Sequence, residues 1–437
     1  MSLVLSTLAL ASCGYVKPDF VMPSEGFDTN TDISITFYHT MSQDLKDVLD
    51  LALQQFKILY PNITVNHSSI GAYDDIKSQI VTQVSSGKTE ADLLYCYPDH
   101  IALYNKAKAV ATLDTLIDDD KYGYTAAQKS DFVEAYYNEG KQFGDNKMYC
   151  LPFVKSSEVM YYNKTVFDEN NLSVPTNWDE METVCKTLKK IYPNSTPLGY
   201  DSSSNWFITM CEQMNIPYTT SSGKGGGHYL FNNDQAKAFV KKLKGWRDKG
   251  YITTKGLYGS YTSGLFTKTD GTQSFMCIGS SAGASYQKID GQEVDIASIP
   301  QYDSARKAVI SQGPSVTILR NDNPQKVLAS WLLLKFLTTD VNFQAQFSMT
   351  SGYTPVIKSV NDNAIYKAWL ESGSTNNLQA LSVQQTSKQS SMFFSSPVFI
   401  GSSQARDNVG ALLDAALAGS KSVDQAFQDA FDECAYI

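Results

Sequence analysis

The side chains best able to do chemistry in this chain are four histidines, seven cysteines and four arginines, and their spacing decides which chemistry is open to them. His39, His67, His100 and His228 lie far apart with no H-x-x-x-H pair, and the cysteines form no C-x-x-C, so neither a metal centre nor another cofactor is expected. Ser222-Gly223-Lys224-Gly225 has part of a phosphate loop, but Tyr218 stands where its first glycine belongs and Gly225 replaces the Ser or Thr. Asp118-Asp119-Asp120 lacks the alternation and closing Glu of a calcium loop and reads as a solvated acidic turn. Carboxylates are too numerous for sequence to nominate a glycosidase pair, which leaves an extracellular carbohydrate-active enzyme as a remote alternative. Binding without turnover fits these residues better than catalysis, and the chain is not expected to be an enzyme.

Polar binding needs elements that hold donors still. Ile33, Ile35 and Phe37 alternate as a strand, and Leu45, Val48, Leu49, Ala52, Leu53 and Phe56 then recur at helical spacing before Pro61. Residues 63–66 read as strand, 74–84 as helix and 92–96 as a buried strand, an alternation that predicts a doubly wound α/β unit. A strand at 159–162 crosses to a second unit. There Thr176 is expected to cap a helix carrying Trp178, Met181, Val184, Cys185 and Leu188. A return to the first unit is expected at Val294–Ile299, and a further crossing near Ser351-Gly352-Tyr353-Thr354-Pro355. The predicted fold class is therefore α/β with two lobes, each a sheet flanked by helices, joined at a hinge around a cleft. Residues 32–147 plus 291–345 are assigned to lobe 1, and 148–290 plus 346–437 to lobe 2.

Composition narrows the partners. With 437 residues, 19% charged, 42% hydrophobic and a net charge of −9, the chain has ample material for buried cores and no general nucleic-acid surface. The run from Leu3 to Ala11 is too short to span a bilayer. Its ending, Leu10-Ala11-Ser12-Cys13-Gly14, resembles a bacterial lipobox, although no Lys or Arg precedes Cys13. Cys13 is the expected lipid anchor, and residues 1–31 the signal remnant and linker. The other six cysteines are expected to be buried thiols.

The stretch from Tyr149 to Lys164, YCLPFVKSSEVMYYNK, followed by PTNWDE at 175–180, resembles the lobe crossing of bacterial extracellular solute-binding proteins of family 1. FYHTM at Phe37, GAYDD at Gly71, IGSSAGASY at Ile278 and SGYTPV at Ser351 extend the resemblance. It implies a type II periplasmic-binding-protein-like fold that closes on a small polar solute and delivers it to the permease of an ABC importer. Such a receptor works outside the cytoplasmic membrane, held there by lipid, or in a periplasm, and is expected to be a monomer. The branch that binds sn-glycerol 3-phosphate and glycerophosphodiesters is the most similar. Matching its contacts implies ligand-binding roles for Tyr73, Ser156 (or Lys155), Ser280, Ser281, Gly313, Tyr353 and, as the phosphate-binding cation, Arg406. Asp99 stands beside Pro98, which occupies the place of that branch's acidic residue, and Trp206 is expected to form an aromatic floor. A guanidinium fork meets two phosphate oxygens, and hydroxyls and backbone N–H groups supply the remaining donors. A mono- or oligosaccharide is the competing ligand, met by Trp206, Tyr97, Asp99 and Tyr353.

Overall fold

The computed structural model describes residues 16–222 and 225–435. Cys13, and Gly223 and Lys224 of the glycine-rich loop, lie outside the described residues. In chain order the strands are β1 (Ile33–His39), β2 (Ile63–Ser69), β3 (Leu93–Cys96), β4 (Leu151–Pro152), β5 (Ser156–Asn163) and β6 (Leu198–Tyr200). They continue as β7 (Ile252–Thr254), β8 (Met276–Ser280), β9 (Val294–Ser298), β10 (Val309–Gln312), β11 (Ser315–Ile318) and β12 (Phe393–Phe394).

The first lobe is built on the sheet β2-β1-β3-β11-β4. β1 runs parallel to β2 and β3, and β11 is antiparallel to both β3 and β4. Ile35 and Phe37 alternate inward, and the helix Gln43–Leu59 lays Val48, Leu49, Ala52 and Phe56 on the same core. The near-continuous apolar run of β3 is buried on both faces, as a central strand requires.

The second lobe is built on β12-β10-β5-β8-β6-β7, with β9 beside β5. Its core collects Trp178, Tyr200, Trp206, Phe207, Trp246, Leu413 and Phe427. Asn177, not Thr176, caps the helix Trp178–Ile191, its side chain accepting from the Glu180 N–H; Glu180 in turn accepts from the Thr176 N–H and hydroxyl.

Two expected boundaries move. The strand at Val294–Ser298 does not return to the first lobe: Ile296 faces Tyr161 in an antiparallel pairing with β5. Alternation revealed a half-buried strand there, but the pattern is the same whichever sheet receives it. The return comes at Gly313, between β10 and β11. Phe347, Val356, Ile357, Val360 and Tyr366 belong to the core of the first lobe, so the final passage falls after residue 371, and Leu378 joins the second lobe. Near the expected crossing at Tyr353, Thr354 instead pairs with Lys155 and the chain turns back into the first lobe.

Candidate functional site

A cavity of about 150 Å³ lies between the lobes, at the crossing segments. Tyr97 and Asp99 reach it from the first lobe, Ser311, Gln312 and Gly313 from the crossing, and Arg406 from the second lobe. Arg406 sits in the first turns of the helix Ser402–Ala418 and donates to the Asn205 side-chain oxygen. Asn205 is itself fixed. Its backbone N–H meets the capping Ser202 hydroxyl at 3.1 Å, and its amide nitrogen donates to Gln312 Oε1 at 2.8 Å. Among the described residues Arg406 makes no salt bridge, so its charge is available to a ligand.

At the base of the cavity a buried ion pair joins Lys155 to Glu139. The other carboxylate oxygen of Glu139 accepts from the Ser311 hydroxyl at 2.8 Å and the Ser395 hydroxyl at 2.9 Å. Lys155 also reaches the Gly313 carbonyl at 3.3 Å. One carboxylate from the first lobe is thus tied to two hydroxyls of the second.

Behind Tyr97, tyrosines pack together in the first lobe. Tyr73 lies 4.6 Å from Tyr97 and is stacked 5.9 Å from Tyr95, centroid to centroid. Burial pushes the Tyr97 hydroxyl far above its ordinary range; the nearby Tyr353 adds to this, while Arg406 opposes it. Beneath Arg406, burial raises the Glu158 carboxyl to about 7, against the opposing hydrogen bond from Tyr200.

Of the expected site residues, Asp99, Gly313 and Arg406 share the cavity, as do Lys155, the alternative to Ser156, and Tyr97. Tyr73 and Tyr353 interact with Tyr97 at its edge. Ser156 is buried where β5 meets β10 and does not line the cavity. Ser280 is exposed and caps the short turn after β8, accepting from the Ala282 N–H. Ser281 is buried, with its hydroxyl accepting from the Ser157 N–H at 3.2 Å. Trp206 is no floor: it is fully buried, 4.5 Å from Tyr200 in a parallel stack and 5.9 Å from Trp178. The helix Ser203–Gln213 is buried nearly all round, so a large apolar ring on it goes to core.

Asn205, Glu158 and Glu139 were not anticipated. A lone carboxylate in the otherwise uncharged, fully buried SSEVMYYN strand was the one available signal for Glu158. The sequence Gly279-Ser280-Ser281-Ala282-Gly283 carries the G-x-S-x-G spacing of a nucleophile elbow. Its central Ser281 is buried and no histidine is bonded to it among the described residues, so the spacing makes no nucleophile. The six described cysteines are all free and buried. Among the described residues no cluster of His, Cys, Asp and Glu could hold a metal ion, and no helix is long and apolar enough to cross a membrane.

Known proteins share this fold. The family of bacterial extracellular solute-binding proteins matches residues 52–372. A multiple sugar-binding protein of Streptococcus mutans is 24% identical over 229 residues, 52% of this chain; the match spans 48%, about half, of that relative's length. The sn-glycerol-3-phosphate-binding periplasmic protein UgpB of Escherichia coli K12 is 21% identical over 341 residues, 75% of each chain. The crystal structure of UgpB from Mycobacterium tuberculosis in complex with glycerophosphocholine superposes with a TM-score of 0.74 at 16% identity, covering 92% of this chain and 98% of that one. The fold is that of two-lobed type II periplasmic binding proteins, and these relatives are binding proteins and a receptor. With a family match running through both lobes and the segments that join them, the chain belongs to the bacterial extracellular solute-binding proteins.

Proposed function

We propose that this chain is the receptor of an ABC importer, closing on sn-glycerol 3-phosphate or a glycerophosphodiester and presenting it to a membrane permease. The observation that carries this reading is Arg406: a guanidinium on the wall of an interlobe cavity, held by a neutral amide and paired with no carboxylate among the described residues. A phosphate there would meet the planar fork of the guanidinium. Asp99 and Tyr97 would take up the glycerol hydroxyls. The protein acts outside the cytoplasmic membrane as a monomer, tethered through a lipid on Cys13, and has neither cofactor nor nucleic-acid partner.

A saccharide is the second reading, and the Tyr97 ring on the cavity wall favours it, because an aromatic face suits a pyranose ring. Calorimetric titration with glycerol 3-phosphate, glycerophosphocholine, maltose and maltotriose separates the two. Phosphate esters should bind to the wild type, and Arg406→Ala should weaken them by about 2–5 kcal/mol, the cost of removing one partner of a desolvated charge pair. Tight saccharide binding with no phosphate binding establishes the second reading and removes the first.

A further inference from the structure

Behind Arg406 lies a buried acid with no evident task in holding the lobe together. Glu158 is 2% exposed, on β5, opposite Ser280 of β8. One carboxyl oxygen accepts from the Tyr200 hydroxyl at 2.6 Å; the other, Oε1, is buried with no well-formed hydrogen bond, the Asn205 side chain lying beside the carboxyl and, like Tyr200, favouring its charged form. An unsatisfied buried carboxyl oxygen costs stability and calls for an explanation. The charged and titratable groups acting on it are Tyr200 on β6, Asp201 just after it, and Arg406 from the helix Ser402–Ala418. The remaining neighbours are neutral: the Asn205 amide, Ser280, and Gln389, whose side chain donates to the Glu158 backbone carbonyl at 2.8 Å.

Asn205 connects this acid to the cavity, because its side-chain oxygen receives the Arg406 guanidinium. An ionised Glu158 therefore adds negative potential directly behind the cation that a phosphate must share. Burial already holds the carboxyl near neutrality at about 7, and Arg406 is one of the groups keeping it from rising further. A phosphate on Arg406 would cancel that help, so the carboxyl would take a proton from solvent.

We propose that Glu158 is a positioning residue that selects ligands by charge: with Asn205 it sets the guanidinium of Arg406, and it gains a proton from water when an anion binds there. The inference rests on the phosphate reading of the cavity. It makes capture of an anionic ligand proton-linked, and leaves capture of a neutral sugar free of that linkage.

The probe is glycerophosphoglycerol, a phosphodiester that does not itself titrate near neutrality. Calorimetry between pH 6 and pH 8.5, in two buffers of different ionisation enthalpy, reads affinity and proton uptake together. For the wild type, affinity should fall by about tenfold across that range, the consequence of up to one linked proton. Binding should take up a fraction of a proton at pH 7.5. Glu158→Gln should lose both the slope and the uptake. Tyr200→Phe removes a donor that favours the charged carboxyl, so the fall in affinity should move to higher pH; it also tests the idea independently if the glutamine variant does not fold. Binding of the diester with no pH slope and no proton uptake in the wild type, with the same slope in Glu158→Gln, or with an unshifted pH dependence in Tyr200→Phe, overturns the inference while leaving the phosphate reading intact. No binding of the diester or of glycerol 3-phosphate at any pH overturns both.

Discussion

His39 shows how one side chain can set the acid limit of a lobe. It is fully buried at the end of β1, where its Nδ1 accepts from the Met41 N–H at 3.1 Å. The ring proton therefore sits on Nε2, 2.9 Å from His67 Nδ1, and His67 faces Asp50 at 2.8 Å through its own Nε2. A second proton on His39 would have to displace the Met41 bond. Burial first, then the neighbouring His67 and Lys46, lower its pKa to about 4, with Asp50 opposing. The unfolded chain binds the proton near pH 6.5 and the folded one only near 4, so the stability from neutral His39 is complete above 6.5 and lost as pH falls towards 4. Urea unfolding at pH 7.5, 5.5 and 4.5 should show a loss of about 3 kcal/mol from this group. His39→Gln should be flatter over the same interval; an unchanged slope would place the acid sensitivity elsewhere. At this scale the sequence was partly legible. Arg406, Gly313 and Asp99 could be found because a motif, or the neighbour of one, marks the position. Trp206 misled because a tryptophan has the same chemistry in a cleft and in a core. Asn205 and Glu158 were hidden, since only folding brings the helix Ser203–Gln213 and β5 behind Arg406.

At the scale of elements, the hinge is built from chain segments packed too closely for side chains. Gly313 has φ +106°, and a Cβ there would stand 2.6 Å from the Val154 carbonyl oxygen and 2.8 Å from the Lys155 Cα. The returning segment lies directly on the outgoing one, and only glycine fits. Lys155 is held at this junction by Glu139, both almost wholly buried. Lys155→Met would leave Glu139 charged and buried with only the Ser311 and Ser395 hydroxyls, and should cost about 3–5 kcal/mol in denaturant unfolding. The double variant with Glu139→Gln removes the stranded charge and should recover most of that loss. If the single variant matches the wild type, the pair contributes nothing to holding the hinge. The elements themselves were well marked by periodicity: β1, β3 and the helices Gln43–Leu59 and Trp178–Ile191 lie where their apolar spacing put them. Lobe membership was not. β9 and the segment from Phe347 to Tyr366 went to the opposite lobe because local pattern encodes how a segment is buried and carries no label for the sheet that buries it.

At the scale of the whole molecule, the two lobes also touch away from the hinge. The helix Pro98–Asn105 packs on Ser402–Ala418 across the cleft. Lys77 of the first lobe stands 2.7 Å from Asp74 beside it and 3.5 Å from Asp407 of the second lobe. Asp407 is more than half exposed, so this cross-cleft pair is worth only about 0–1 kcal/mol and weakens in salt. Such a weak latch suits a receptor, because a ligand can move the equilibrium only by its differential affinity for the closed form, and a strongly self-closed protein would leave it little to change. Lys77→Met should therefore enlarge the radius of gyration of the free protein in small-angle scattering while leaving the liganded value unchanged. Ligand affinity should drop by no more than about fivefold, the most a pair of this strength can supply. The wild type should approach the variant as ionic strength rises from 0.05 to about 0.5 M, where screening shortens the reach of the pair below the Debye length at physiological salt. Identical scattering from free wild type and Lys77→Met at low salt would remove the latch and leave closure to the Glu139 contacts at the hinge and to the ligand itself.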